Sequence, residues 1–297
     1  MSTAAVPVGA AAARGAGSET WRHVRYVLAE NPLTFAAFLC FLAIVATAVV
    51  GPALVPYDPL ASDTAVALSP PSFAHWFGTD QLGRDIFSRV IVATRLDLGI
   101  ALAAVALSFV VGSFAGAWAG YRGGIADKVV GRFADTVMAF PLFVLAMGIV
   151  AALGNTVQNI VYATAVVNLP FYIRLARAEI VRLREAGFVE AAAISGNGPL
   201  GILVRHLYPN ALPTLVVQAS LNLGWALLNA AGLSFIGLGV RPPTPEWGIM
   251  VADGANFVVA GKWWIAAFPG LAIMGTALCF NFLGDGLRDP LDPTRRT

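Results

Sequence analysis

The residues that could carry out catalysis are few and poorly placed for it. The chain has three histidines and two cysteines, and the histidines are too scattered to indicate a metal site. Ser234 follows Gly232-Leu233, but no histidine comes after it, which disfavours an intramembrane serine protease. Gly261-Lys262 precedes Trp263, whereas an ATP-binding phosphate loop needs Ser or Thr there. The sequence therefore predicts a protein that is not an enzyme, binds no cofactor or metal, and does not hydrolyse ATP itself.

A different kind of chemistry, the docking of a short helix on another protein, is indicated within residues 186–209. Glu190-Ala191-Ala192 is followed by Gly196 and later by Pro209. The small alanines would let a helix from about Phe188 to Ser195 approach another protein closely. Glu190 falls near the start of that helix, where the helix dipole tolerates an acid and where a basic partner residue could pair with it. Taken alone, the same pattern also fits an ordinary amphipathic loop helix.

The elements around this loop are indicated by where charged residues are missing. Only 12% of the 297 residues are charged and 58% are hydrophobic, which excludes a disordered chain and disfavours a soluble domain. The net charge of +2 is too small to indicate a nucleic-acid surface. Six runs lack charged residues; five have 18 to 23 residues, near the roughly 20 that a membrane-crossing helix needs, and one, 207–240, is longer than a single crossing. We therefore predict an all-α integral membrane protein with six transmembrane helices, at 33–55, 98–120, 134–153, 156–174, 213–236 and 263–284.

The orientation and the division of the chain follow from these spans. Most Lys and Arg residues fall on the inner side if both termini are cytoplasmic. The first run is longer than the apolar core of a signal peptide, about 7–15 residues, which disfavours cleavage. The predicted parts are a disordered cytoplasmic N-terminus at 1–20, an N-terminal region at 21–96, a membrane core at 97–285 with the docking loop 186–209, and a cytoplasmic tail at 286–297.

The long outer segment between the first two spans contains a second amphipathic pattern. Within residues 75–95, apolar and charged side chains separate onto two helical faces, which predicts a helix lying at the membrane interface. His75, Trp76 and Phe77 would anchor it there. A plain surface helix explains the pattern equally well.

Several strings resemble one transporter family. The spacing from Glu190 to Gly196 and Pro209 resembles the EAA loop of ABC importer permeases, with Tyr208 in place of the usual Leu. Phe77–Asp85 and Gly232–Gly239 resemble motifs of the C-type subunit of dipeptide and oligopeptide permeases, and the resemblance covers about residues 20–293. Asp97 departs from the family, which more often has Ser.

The resemblance implies a type I ABC importer permease of the bacterial cell membrane that works by alternating access. Its implied partners are a second permease subunit, two ABC ATPase subunits that bind ATP and Mg, an extracytoplasmic substrate-binding protein and membrane lipid. Dipeptides or oligopeptides are the expected substrates; nickel chelates, glutathione or another small solute are the alternatives. A secondary transporter or channel is disfavoured, because ionisable residues are nearly absent from the span centres. The sequence assigns no substrate-binding residue, and the roles of Asp97, Asp135 and Asp285 stay open.

Overall fold

The computed structural model describes residues 32–291, and nearly all regular structure in that range is helical. The predicted N-terminus at 1–20, residues 21–31 of the predicted N-terminal region and residues 292–297 of the predicted tail lie outside the described residues. The helices are α1 (Pro32–Leu54), α2 (Ile86–Arg122), α3 (Gly124–Met138), α4 (Leu142–Leu153), α5 (Val157–Leu183), α6 (Gly187–Ile194), α7 (Pro199–Ile202), α8 (Tyr208–Phe235), α9 (Trp247–Val258) and α10 (Trp264–Leu291).

Several of these helices can cross a membrane, which confirms the all-helical, multi-span prediction. Four are long and apolar enough within the described range: α1, α2, the continuous stretch Pro199–Phe235 that ends in α8, and α10. Together α3 and α4 make a fifth if the bent pair is one span. Helix α5 has 27 residues, enough length to cross, but it is more polar than the other four. Six spans therefore stay a prediction, and the span at 156–174 is the one in question.

The predicted interfacial helix in the outer segment does not lie apart from the second span. Helix α2 runs without a break from Ile86 to Arg122, so it includes residues 86–95 of the predicted helix, whereas residues 75–85 are not helical. Asp85 caps its start by accepting from the backbone N–H of Ser88 at 2.8 Å. Arg89 is only 2% exposed, so the polar face points into the protein. The sequence periodicity identified an apolar and a polar face. It could not show that residues of the polar face would pair with buried carboxylates.

The predicted third span, 134–153, is not one continuous helix. Helices α3 and α4 meet at an angle of 91° across residues 139–141. Pro141 caps the start of α4. Proline lacks a backbone N–H and disfavours helical geometry at the residue before it, so the α3 helix ends upstream of Pro141. The predicted end at residue 153 coincides with the end of α4, but α3 begins ten residues before the predicted residue 134. The absence of charged residues carried no information about the bend.

The fifth span begins upstream of the predicted residue 213. Pro213 lies inside α8, and helical structure extends back through a π-helical turn at Leu203–Leu207 to Pro199. Leu207, Ala211 and Leu215 are fully buried and lie one turn apart on the same face. This packing keeps the chain helical although Pro213 cannot donate a backbone hydrogen bond.

Helices α2 and α5 pack closely along most of their lengths because α2 presents glycines to α5. A Cβ at Gly116 would lie 2.2 Å from the carbonyl oxygen of Ile173, and one at Gly112 would lie 2.9 Å from that of Leu169. Such contacts are possible only without a side chain, and small residues are the usual means of close helix packing in membranes. The α2–α5 pair forms the centre of the bundle and leads directly into the docking loop.

Candidate functional site

The docking loop, residues 186–209, contains one short helix with two distinct faces. Val189 and Ala192 of α6 are buried and pack in a cluster with Ile180 of α5 and Leu203. The opposite side of the loop is exposed and includes Phe188, 42% exposed, and Ile194, 81% exposed. The buried side of α6 therefore attaches the helix to the bundle, and its exposed side has no partner in the described part of the chain. We call the exposed residues Phe188, Glu190, Ala191 and Ile194 the docking face.

Gly196 ends α6 through a Schellman turn. It adopts φ = +83°, and its N–H donates to the carbonyl of Ala193 at 3.0 Å. The next N–H, from Asn197, donates to the carbonyl of Ala192 at 3.2 Å, and the Asn197 side-chain amide donates to the same oxygen at 3.0 Å. No atom lies within 4 Å of a Cβ built on Gly196. Glycine is thus required by the backbone conformation and not by lack of space.

The structure separates the residues of the EAA pattern into different environments. Glu190 is exposed in the first turn of α6, and no ion pair to it occurs within residues 32–291. Ala191 is exposed as well, whereas Ala192 faces inward. Pro209 is exposed at the start of α8. Gly187 is the first residue of α6.

Two contacts attach the docking loop to α2. The hydroxyl of Tyr208 lies 2.7 Å from the hydroxyl of Ser113, and its ring lies 5.9 Å from that of Phe114. Arg184, at the end of α5, donates to the carbonyl of Gly120 at 3.0 Å. In the sequence, Tyr208 stands out only as a departure from the family pattern. That departure was the signal, since Leu cannot make this hydrogen bond.

Ion pairs join α3 to α5 on the same side of the bundle as the docking loop. Arg177 donates to both carboxylate oxygens of Asp127, and Arg174 donates to Asp135 at 2.7 Å. Asp135, near the end of a predicted span, thus has a basic partner. Asp285 is exposed on α10, and no ion pair to it occurs in the described part of the chain.

The outer segment before α2 is held by a buried cluster of charged residues. The carboxylate of Asp80 lies 2.7 Å from Nε of Arg84 and 3.8 Å from Nε of Arg89, and all three residues are at most 5% exposed. His75 lies 2.9 Å from Asp85, also buried. Removing one member of such a pair leaves an uncompensated buried charge, so this cluster makes the segment a rigid part of the fold.

Asp97 attaches α9 to α2. Its carboxylate accepts from the backbone N–H of Trp247 at 3.1 Å, and Glu246 accepts from the next two amides, of Gly248 at 2.9 Å and Ile249 at 2.8 Å. The indole of Trp247 also donates to a carbonyl of α2 at 3.0 Å. Asp97 and Glu246 together satisfy three amides at the start of α9. This gives Asp97 a structural role that a shorter Ser could not fill in the same way.

No group of three or more His, Cys, Asp or Glu within residues 32–291 could hold a metal ion. The candidate functional site is the exposed docking face, together with the turn at Gly196 that ends α6. Such a face suits contact with another protein.

Comparisons with known proteins show the family to which the chain is similar. Residues 112–297 match the family model described as binding-protein-dependent transport system inner membrane component, and residues 19–71 match the N-terminal transmembrane domain of oligopeptide transport permease C. The chain is 44% identical over 268 residues to the probable D,D-dipeptide transport system permease protein of Escherichia coli K12, covering 90% of each chain. It is 39% identical to the dipeptide transport system permease protein of Alkalihalophilus pseudofirmus, over 93% of this chain and 91% of that one. It is also 39% identical to the glutathione transport system permease protein of Pectobacterium atrosepticum, over 92% and 91%.

Proposed function

Because this chain belongs to the family of binding-protein-dependent transport system inner membrane components, we propose that it is a permease subunit of an ATP-driven importer that carries dipeptides or oligopeptides into the cytoplasm. The relatives named for dipeptides support the substrate class. The glutathione relative supports the alternative of a modified tripeptide, which shares the peptide bond and free carboxylates. The single observation that carries the mechanism is the exposed docking face of α6.

Six membrane spans are part of this proposal, with α5 as the least apolar of them. Asn168 is 1% exposed and Thr164 is fully buried, where its hydroxyl accepts from Asn229 of α8 at 3.1 Å. Polar residues of α5 therefore face other helices and not lipid. A helix surrounded by neighbours can cross the membrane with lower hydropathy than one at the edge of a bundle. At about 1.5 Å per residue, 27 residues span about 40 Å, enough for a bilayer.

The orientation in the proposal places both termini and the docking loop in the cytoplasm. It rests on the excess of Lys and Arg in the short segments around Arg122–Arg132 and Arg174–Arg184. The protein would lie in the bacterial cell membrane, with α9 and the buried charge cluster around Asp80 on the outer side. The outer side would then meet the substrate-binding protein, and a second permease subunit would complete the path.

In this mechanism the chain supplies the docking and the conformational change, and its ATPase partners supply the energy. ATP and Mg²⁺ bind to the two ATPase subunits. Phe188 and Ile194 enter an apolar groove on an ATPase subunit, and Glu190 pairs with a basic residue at its rim. Closure of the ATPase subunits then moves α6 together with α5. ATP must bind one state of the complex more tightly than the other, or no shift in access occurs.

The proposal is tested by placing a charge on the docking face. Ile194→Asp puts a carboxylate at a position that we expect to be desolvated in the complex, and it should prevent co-purification of the ATPase subunits. Val259→Asp is the matched control, because Val259 is 98% exposed and follows α9 on the proposed outer side. Membrane insertion of both variants should equal that of the unmodified chain. Normal co-purification of the ATPases with Ile194→Asp, or with a chain lacking residues 190–196, would contradict the proposal.

A further inference from the structure

Helix α3 has unusually little packing for a part of the bundle. Of its 15 residues, only Ala134 and Val137 are buried. Apolar residues elsewhere on the helix stay exposed, among them Ile125 at 81% and Val129 at 62%. Within this chain, its position therefore depends on few contacts.

The connection from α2 into α3 does not fix that position. It is Gly123 alone, followed by Gly124 as the first residue of α3, and their φ values are +62° and +60°. No atom lies within 4 Å of a Cβ built on either residue. Two adjacent glycines without neighbouring side chains form a joint that permits many backbone conformations.

The two ion pairs to α5 are the polar contacts that fix α3. Arg177 holds Asp127 near the start of α3, with 2.7 Å between Nη2 and Oδ2 and a second bond between Nε and Oδ1. Arg174 holds Asp135 near its end, also at 2.7 Å. A bidentate Arg–carboxylate pair fixes orientation as well as distance. Because one pair lies toward each end of α3, the two pairs attach both ends of the helix to α5.

These pairs lie between the docking loop and the bend. Helix α5 ends at Leu183, and α6 begins at Gly187. Asp135 is in the last turn of α3, directly before the 91° bend at residues 139–141. A displacement of α5 by the docking loop would therefore reach α3 close to the point where the span is broken.

We propose that the pairs Arg177–Asp127 and Arg174–Asp135 transmit the movement of the docking loop to the bend between α3 and α4. Asp127 and Asp135 are then positioning residues for transport: they make α3 follow α5, and the change of angle at residues 139–141 opens or closes the path. This inference rests on the proposed function. Coupling through two discrete contacts is a physical claim that charge reversal can test.

The decisive variant is the double substitution Asp127→Asn and Asp135→Asn. Both pairs are partly exposed, so they contribute little to stability and their loss should leave the fold intact. The complete importer, with both permeases, the ATPases and the binding protein, is reconstituted in liposomes. The measured quantity is the number of peptides imported per ATP hydrolysed. We expect it to fall at least fivefold, with assembly and ATP hydrolysis retained.

The chain provides a matched control and a rescue. Glu179 pairs with Arg182 at 2.8 Å within α5 itself, so Glu179→Gln removes a similar ion pair that joins no two helices and should leave the ratio unchanged. Asp135→Arg alone should lower the number of peptides imported per ATP hydrolysed. The combined Asp135→Arg and Arg174→Asp exchange should recover at least half of that decrease.

The outcomes separate this inference from the proposed function. An unchanged ratio in the double Asn variant would overturn the inference, and so would an exchange that rescues nothing. If the double Asn variant fails to assemble, the combined Asp135→Arg and Arg174→Asp exchange is the test by itself. Rescue of the ratio then supports the inference, and absence of rescue overturns it. Absence of ATP-dependent uptake by the unmodified importer would instead overturn the proposed function.

Discussion

Gly196 provides the sharpest prediction about the docking loop. Its φ of +83° is required by the turn that ends α6, and no neighbouring atom would meet a side chain there. Gly196→Ala therefore changes the backbone preference and creates no clash. Gly187 and Gly201 of the same loop have ordinary φ values, and Gly187 likewise has no atom within 4 Å of a Cβ. Gly187→Ala is thus a control that adds the same methyl group nearby.

The magnitude follows from the cost of the left-handed conformation. A non-glycine residue in that region costs about 1–2 kcal/mol, and because each 1.4 kcal/mol corresponds to about tenfold, the native turn should be populated about 5- to 30-fold less relative to alternatives. Gly196→Asn should recover part of this, since Asn tolerates positive φ better than Ala does. Gly187→Ala should be neutral or slightly stabilising, because Ala favours the helix.

The assay compares peptide uptake and ATPase binding for these variants in the complete importer. Gly196→Ala should weaken ATPase binding and reduce uptake by several-fold, Gly196→Asn should fall between it and the unmodified chain, and affinity of the binding protein for peptide should not change. Hydrogen exchange of the amides of Gly196 and Asn197, which form the turn, should accelerate in Gly196→Ala. If Gly196→Ala and Gly187→Ala behave alike, the reasoning from backbone conformation is refuted.

Two further predictions concern the stability of the fold. Gly116→Ala should prevent stable folding in detergent, because its Cβ would lie 2.2 Å from the carbonyl oxygen of Ile173, whereas Gly99→Ala on the same helix meets no atom within 4 Å and should fold normally; equal melting temperatures would contradict this. Asp80→Asn should destabilise the purified chain by about 3–5 kcal/mol, because it leaves the buried guanidinium of Arg84 without a charged partner. A melting temperature within a degree of the unmodified chain would show that the cluster contributes nothing.

The sequence could predict those parts of the fold that depend on amino-acid composition or on a local backbone rule. Runs without charge located the first span, 33–55, within a residue of α1 at Pro32–Leu54, because lipid excludes charged side chains from any long run. The short helix predicted from about Phe188 to Ser195 corresponds to α6, since Gly196 stops it by a backbone rule that sequence alone expresses. Its role in docking stays a prediction.

The rest depended on pairing between distant residues. The charged face within residues 75–95 was expected at the membrane interface, but Arg89 is buried, where its guanidinium lies 3.8 Å from Asp80 and donates to the carbonyl of Pro59 at 2.8 Å. Pro141 disfavours a continuous helix through residues 139–141, but a proline does not specify the angle of 91° between α3 and α4. The inner ion pairs link Asp127 to Arg177 across 50 positions of sequence, and local pattern does not show which Arg an Asp will meet.

The central claim is that this chain is the membrane path of a peptide importer driven by ATPases docked on residues 187–196. The most direct measurement is accumulation of a labelled dipeptide by proteoliposomes that contain this chain, its partner permease and the ATPase subunits, with the binding protein on the outer side. We predict ATP-dependent accumulation that is lost with Ile194→Asp and kept with Val259→Asp. Accumulation that proceeds without ATP, or that survives Ile194→Asp, would contradict the claim.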